Sequence, residues 1–111
     1  MNVTRTPLLT AQLGPAKITG RVEAQHIAFG PGQASPLHLH PCPVVGYVAK
    51  GSVLFQVQGQ EPKVLQAGEA FFEPDNTPVA HFDNASADAP MEFVAFYLMA
   101  RESEAKLVIL P

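Results

Sequence analysis

Gly32-Gln33-Ala34-Ser35-Pro36-Leu37-His38-Leu39-His40-Pro41 is the stretch on which the reading of this chain turns. Residues two apart on a β-strand point to the same face and lie roughly 6.6 Å apart along the chain. An extended His38-Leu39-His40 therefore sets two imidazoles on one face. Both can converge on a single ion, each nitrogen about 2.1 Å from it. An isolated His-x-His in a surface loop usually binds nothing. This one lies between the turn signal Gly30-Pro31-Gly32 and the apolar run Val44 to Ala49, the setting of a buried strand. Two histidines hold a first-row metal weakly, so a third ligand is expected from a neighbouring strand. His81, in Pro78-Val79-Ala80-His81-Phe82, is the leading candidate.

The two-residue period continues outward from this stretch. Ile18, Val22, Ala24 and Ala28 share one parity, and Thr19, Arg21, Glu23 and Gln25 the other. Val53, Phe55 and Val57 alternate with Leu54, Gln56 and Gln58, while Glu92 to Tyr97 is apolar on both parities. Runs of this kind, rich in β-branched and aromatic residues, are strands. Lys50-Gly51-Ser52, Gly59-Gln60, Ala67-Gly68-Glu69 and Pro74-Asp75-Asn76 separate them as turns. Eleven Pro and eight Gly residues leave no helical period long enough for a helix. At most a helical turn is expected over Arg101 to Lys106. The pattern predicts an all-β antiparallel sandwich or barrel. The apolar tail Leu107-Val108-Ile109-Leu110 is costly to leave in water and is expected on a sheet edge, its own or a partner's.

With 111 residues there is room for one domain, 1–111, and the 47% hydrophobic content suffices to fill its interior. A net charge of −3 with scattered Lys and Arg gives no basic stripe, so neither nucleic acid nor an anionic membrane is expected as partner. The single Cys42 excludes an intrachain disulfide, Met1 to Pro7 lacks the apolar run of a signal peptide, and no stretch is long enough to span a bilayer. A soluble, cytoplasmic protein is expected.

Gly32, five residues, His38-x-His40 and then Gly51 resembles the first motif of the cupin superfamily. Gly68, five residues, Pro74, a histidine and Asn84 resembles the second, with the Val53 to Leu65 hairpin between them. The resemblance covers Gly32 to Asn84, about half of the chain. His38-Leu39-His40-Pro41-Cys42-Pro43 and Phe72-Glu73-Pro74 look like the small single-domain cupins described as quercetin-dioxygenase-like. The resemblance implies a cupin-type antiparallel β-barrel (a double-stranded β-helix or jelly roll). It also implies a divalent transition metal (Fe, Mn, Ni, Cu or Zn) held by His38, His40 and His81. Two positions depart from the pattern. The motif's glutamate falls at Val44, and its last histidine falls near Val79, two before His81. His81 reaches the metal if the loop Asp75 to Pro78 shifts the register.

Glu73, just before Pro74, is the second candidate, either as a ligand or as a catalytic base. His26 reads as a hydrogen-bonded interior histidine and Cys42 as a buried spectator thiol. Phe55, Phe71, Phe72, Phe82, Phe93, Phe96 and Tyr47 are expected inside, some lining a dry pocket suited to an apolar or aromatic small molecule. The residues themselves support an open metal site, and the resemblance implies a metal-dependent, oxygenase-like enzyme acting on a small organic molecule. The alternative is a non-catalytic binding or sensing barrel with structural or absent metal. A homodimer using the terminal segments is expected, because a barrel this small has exposed sheet edges.

Overall fold

A computed structural model describes residues 2–14, 16–101 and 106–111. Its regular structure is all β: β1 (Arg21–Phe29), β2 (His38–Leu39), β3 (Val44–Lys50), β4 (Ser52–Val57), β5 (Lys63–Gln66), β6 (Ala70–Glu73), β7 (Val79–Asn84), β8 (Met91–Met99) and β9 (Val108–Ile109). No helix occurs among the described residues, and residues 102–105 of the expected helical turn lie outside them.

The strands form two antiparallel sheets. One has four strands in the order β1-β8-β3-β6, the other five in the order β5-β4-β7-β2-β9. Every link along the chain except β4 to β5 passes from one sheet to the other. This winding is consistent with a jelly roll. The closed barrel expected from the sequence is not formed, because no strand ladder joins the two sheets among the described residues.

Alternation decides which side chains enter the space between the sheets. In β8, Met91, Phe93, Ala95, Tyr97 and Met99 are buried, while Glu92, Val94, Phe96 and Leu98 face outward. Phe82 packs on Phe93 at 4.6 Å between ring centroids and on Phe71 at 5.0 Å, with tilted or edge-on rings. Such pairs add about 0.5–1.5 kcal/mol each beyond the area they bury. Phe71 fits because its register partner is Gly46, where a Cβ would lie 2.1 Å from the ring. Gly51 turns β3 into β4 at φ 79, a left-handed conformation that a side chain disfavours.

Three aromatic residues expected inside lie elsewhere. Tyr47, Phe72 and Phe96 share the outer face of the four-stranded sheet. The apolar tail pairs with its own sheet, where β9 runs antiparallel to β2 with His38 opposite Ile109 and Leu39 opposite Val108. No helix is long and apolar enough to cross a membrane among the described residues.

Candidate metal centre

His38 lies on β2, held between β7 and β9, and His40 stands just beyond the strand end. Both are buried, with ring centroids 5.0 Å apart, so the two imidazoles do share the inner face. Glu73, at the end of β6, is buried beside them. Each of the three offers one ligand atom, and these atoms lie within 4.8 Å of one another.

Hydrogen bonding fixes what those atoms are. His38 Nδ1 is 2.8 Å from the Pro36 carbonyl oxygen, and His40 Nδ1 is 2.5 Å from that of Lys106. A carbonyl only accepts, so each ring donates through Nδ1, and in the neutral imidazole Nε2 keeps a bare lone pair. His40 Nε2 lies 2.7 Å from Glu73 Oε2. With His40 neutral, two acceptors face each other at that distance, and Glu73 Oε2 is buried without a hydrogen-bond partner. A cation between them removes the conflict. A proton on His40 does so too. Burial works against that charge, but the hydrogen bond and negative charge of Glu73, with the Lys106 carbonyl, raise the His40 pKa above the usual imidazole value. Two imidazole nitrogens and one carboxylate oxygen are a donor set suited to a divalent first-row metal. His38, His40 and Glu73 could therefore hold one.

His81 is not brought to this cluster. Its side chain is 49% exposed and its Nδ1 lies 2.9 Å from Asp83 Oδ2. The cause is an irregularity in β7, where His81 pairs with Gln56 but Val79 pairs with the next residue, Val57. One extra residue on β7 reverses the parity, so Val79, Phe82 and Asn84 point inward and His81 outward. The two positions at which the sequence lacks the motif's ligands lie opposite ligands it has. Val44 pairs with Glu73 across β3 and β6, and Val79 pairs with His38 across β7 and β2. The facing residue of β6 thus offers a carboxylate where Val44 of β3 offers none. His26 lies on the outer face, 58% exposed and 3.0 Å from Glu92 Oε1. Cys42 is wholly buried in the core.

The cluster opens on a cavity of about 400 Å³. Its walls include Ile27, Phe29, Phe71, Phe82 and Phe93, and His38, His40, Glu73 and Tyr97 line it as well. The Tyr97 ring lies 5.7 Å from that of His40. Burial, reinforced by the Glu73 charge, pushes its phenol up to about 12, so it stays protonated and able to donate. Sequence reasoning missed Tyr97. The only signal was its parity with Phe93 and Ala95 on a strand apolar on both faces. Gln25 and Lys106 also border the cavity, both bonded to Glu23.

Residues 25–97 match the family model described as a cupin domain. Comparison with curated protein sequences returns no match. Among solved structures, the TT1209 protein of Thermus thermophilus is 31% identical with a TM-score of 0.62, the alignment covering 79% of this chain and 89% of that one. An RmlC-like cupin from Shewanella frigidimarina is 28% identical with a TM-score of 0.61, covering 73% and 68%. The DMSP lyase DddQ from Ruegeria pomeroyi superposes with a TM-score of 0.67 at 23% identity, covering 79% and 42%. The present chain thus spans less than half the length of that lyase, and the likeness at this identity is one of fold.

Proposed function

The chain belongs to the cupin family, and from that premise we propose that it is a metal-dependent enzyme. It would bind one divalent first-row metal through Nε2 of His38, Nε2 of His40 and the Glu73 carboxylate. The observation that carries this reading is the buried Glu73 Oε2, without a donor and 2.7 Å from His40 Nε2. A bound metal supplies a Lewis acid with open positions for a chelating oxygen and for dioxygen or water. The chain supplies the rest. Pro36 and Lys106 carbonyls fix both imidazoles in the ligating tautomer. The phenylalanine walls exclude water and take an apolar or aromatic body. The Tyr97 hydroxyl donates to a substrate oxygen. Oxygenase-like chemistry on a small chelating molecule is the reaction class these parts favour. In this scheme Glu73 is a ligand rather than a base.

Protein purified without added metal should carry close to one equivalent of a first-row ion by elemental analysis. His38→Ala and His40→Ala should each abolish tight binding, while His81→Ala should leave affinity unchanged. Retention of full metal by Glu73→Gln would refute the ligand assignment. Dioxygen uptake by the iron-loaded protein with a chelating aromatic diol tests the chemistry. Binding of the diol without uptake would favour the non-catalytic binding reading.

A further inference from the structure

We infer that Gln25 selects the substrate: it takes a hydrogen-bond donor, a hydroxyl or amino group, at the end of the molecule away from its chelating oxygens. This inference rests on the metal-centre reading above. The strand registers rule the inner face of the four-stranded sheet into rows. One row runs Glu23, Tyr97, Val44, Glu73, and the next runs Gln25, Ala95, Gly46, Phe71. The first row holds the candidate ligand Glu73, and Tyr97 beside His40. The second lies one two-residue step away, about 6.8 Å. Its floor is low in one place. The Phe71 ring covers Gly46, so Ala95, which ends at Cβ, is the open patch between that ring and Gln25. An aromatic ring chelated over the first row extends over Ala95, with Phe71 on one side and the Gln25 carboxamide on the other.

The Gln25 side chain is set to accept. Its Nε2 lies 2.7 Å from Glu23 Oε2. A carboxylate only accepts, so the amide nitrogen is turned to Glu23 and the carbonyl oxygen is left over. Arg21, at 3.6 Å, and Lys106, at 3.4 Å, hold Glu23 in turn. The Gln25 hydrogen bond foremost, then Lys106 and Arg21, keep the Glu23 carboxyl below its usual range. Glu23 therefore stays an acceptor, and the amide does not turn over. Among the described residues no hydrogen bond takes up Gln25 Oε1. Gln25 is half-buried, and one row further along the same wall stand Ile27 and Phe93, so it is the last polar side chain before the apolar depth. A ligand that brings a donor satisfies this oxygen. One that brings an ether oxygen covers it and leaves it without a partner, which is costly.

Isothermal titration calorimetry on the Zn²⁺-loaded full chain, without dioxygen, tests this with three probes. They are catechol, 4-hydroxycatechol, which carries the donor, and 4-methoxycatechol, which carries only an acceptor. The wild type should bind 4-hydroxycatechol about tenfold more tightly than 4-methoxycatechol, a difference of about 1.4 kcal/mol. Gln25→Leu should bind these two within about twofold of each other, and catechol within about twofold of wild type. Gln25→Asn, which keeps the amide but draws it back by one methylene, should lose most of the preference. A wild type that binds catechol but does not distinguish the other two overturns the proposal and leaves the metal centre standing. So does a preference that survives in Gln25→Leu. Failure of all three probes to bind the Zn²⁺-loaded wild type overturns the open metal site and the proposal with it.

Discussion

Glu73→Gln should make the metal-free protein more stable and the metal-loaded protein less so. In the absence of metal the Glu73 carboxylate presents a buried oxygen to a neutral His40 Nε2, and neither group can donate. A buried acceptor left without a partner costs about 1–3 kcal/mol. Glutamine keeps the shape and adds an N–H that His40 Nε2 can accept, so most of that cost is recovered. A domain of 111 residues gains about 4 °C in Tm per kcal/mol, so the variant should melt about 4–12 °C above wild type in chelator. The comparison belongs at about pH 9, above the ordinary imidazole range. The Glu73 charge and the Lys106 carbonyl outweigh burial and raise the folded His40 pKa. Its contribution is therefore complete below the unfolded value of about 6.5 and is lost as pH rises through the folded one. The gap between the two proteins should close on acidification. With Zn²⁺ at about a thousand times its Kd, wild type gains about 4.1 kcal/mol, more than the variant's advantage, and the order of melting temperatures reverses. Differential scanning calorimetry with and without chelator measures all of this. A variant that melts below wild type in chelator at high pH would refute the reasoning, as would one whose Tm rises with Zn²⁺ as much as wild type's.

Two further outcomes follow from the scaffold. Gly46→Ala places a methyl 2.1 Å from the Phe71 ring, so that ring must swing into the cavity or the sheets must part. A loss of about 1–3 kcal/mol in urea denaturation is expected, with the cavity reduced. Removing residues 107–111 strips β9 from β2, the two-residue strand that carries His38, and frees the segment behind the Lys106 carbonyl. Metal affinity by competition titration should fall about 10–100-fold, the usual cost of losing an outer partner of a ligand.

Much of this molecule was legible in the order of its residues. The period of two placed the strands, and the Gly and Pro turns separated them. His38 and His40 share one face as their spacing required, and that face is the inner one. Glu73 was visible as an acid one residue before Pro74 at a strand end. What failed had a common cause, since counting parity assumes a regular strand. One extra residue near Ala80 sends His81 to the surface, and nothing in Val79-Ala80-His81 announces it. A strand apolar on both faces has no readable inside, so its pattern does not tell that Phe96 faces outward and Tyr97 inward. Whether Val108 and Ile109 pair with their own sheet or another is a question of where β2 ends up, which no local pattern encodes.

The alternation of the chain between the two sheets has a consequence for the order of events during folding. Between His40 and Glu73 the backbone crosses from sheet to sheet three times, at β2 to β3, β3 to β4 and β5 to β6. Neither residue can find the other through a hairpin or a short loop. Folding dominated by such distant pairings is slow, on the order of milliseconds to seconds. No early fragment holds more than the His38 and His40 pair, so an ion gains little by arriving early and cannot serve as the seed of the fold. The protein should collapse first and be charged with its ion afterwards, at a rate set by entry through the mouth of a finished cavity.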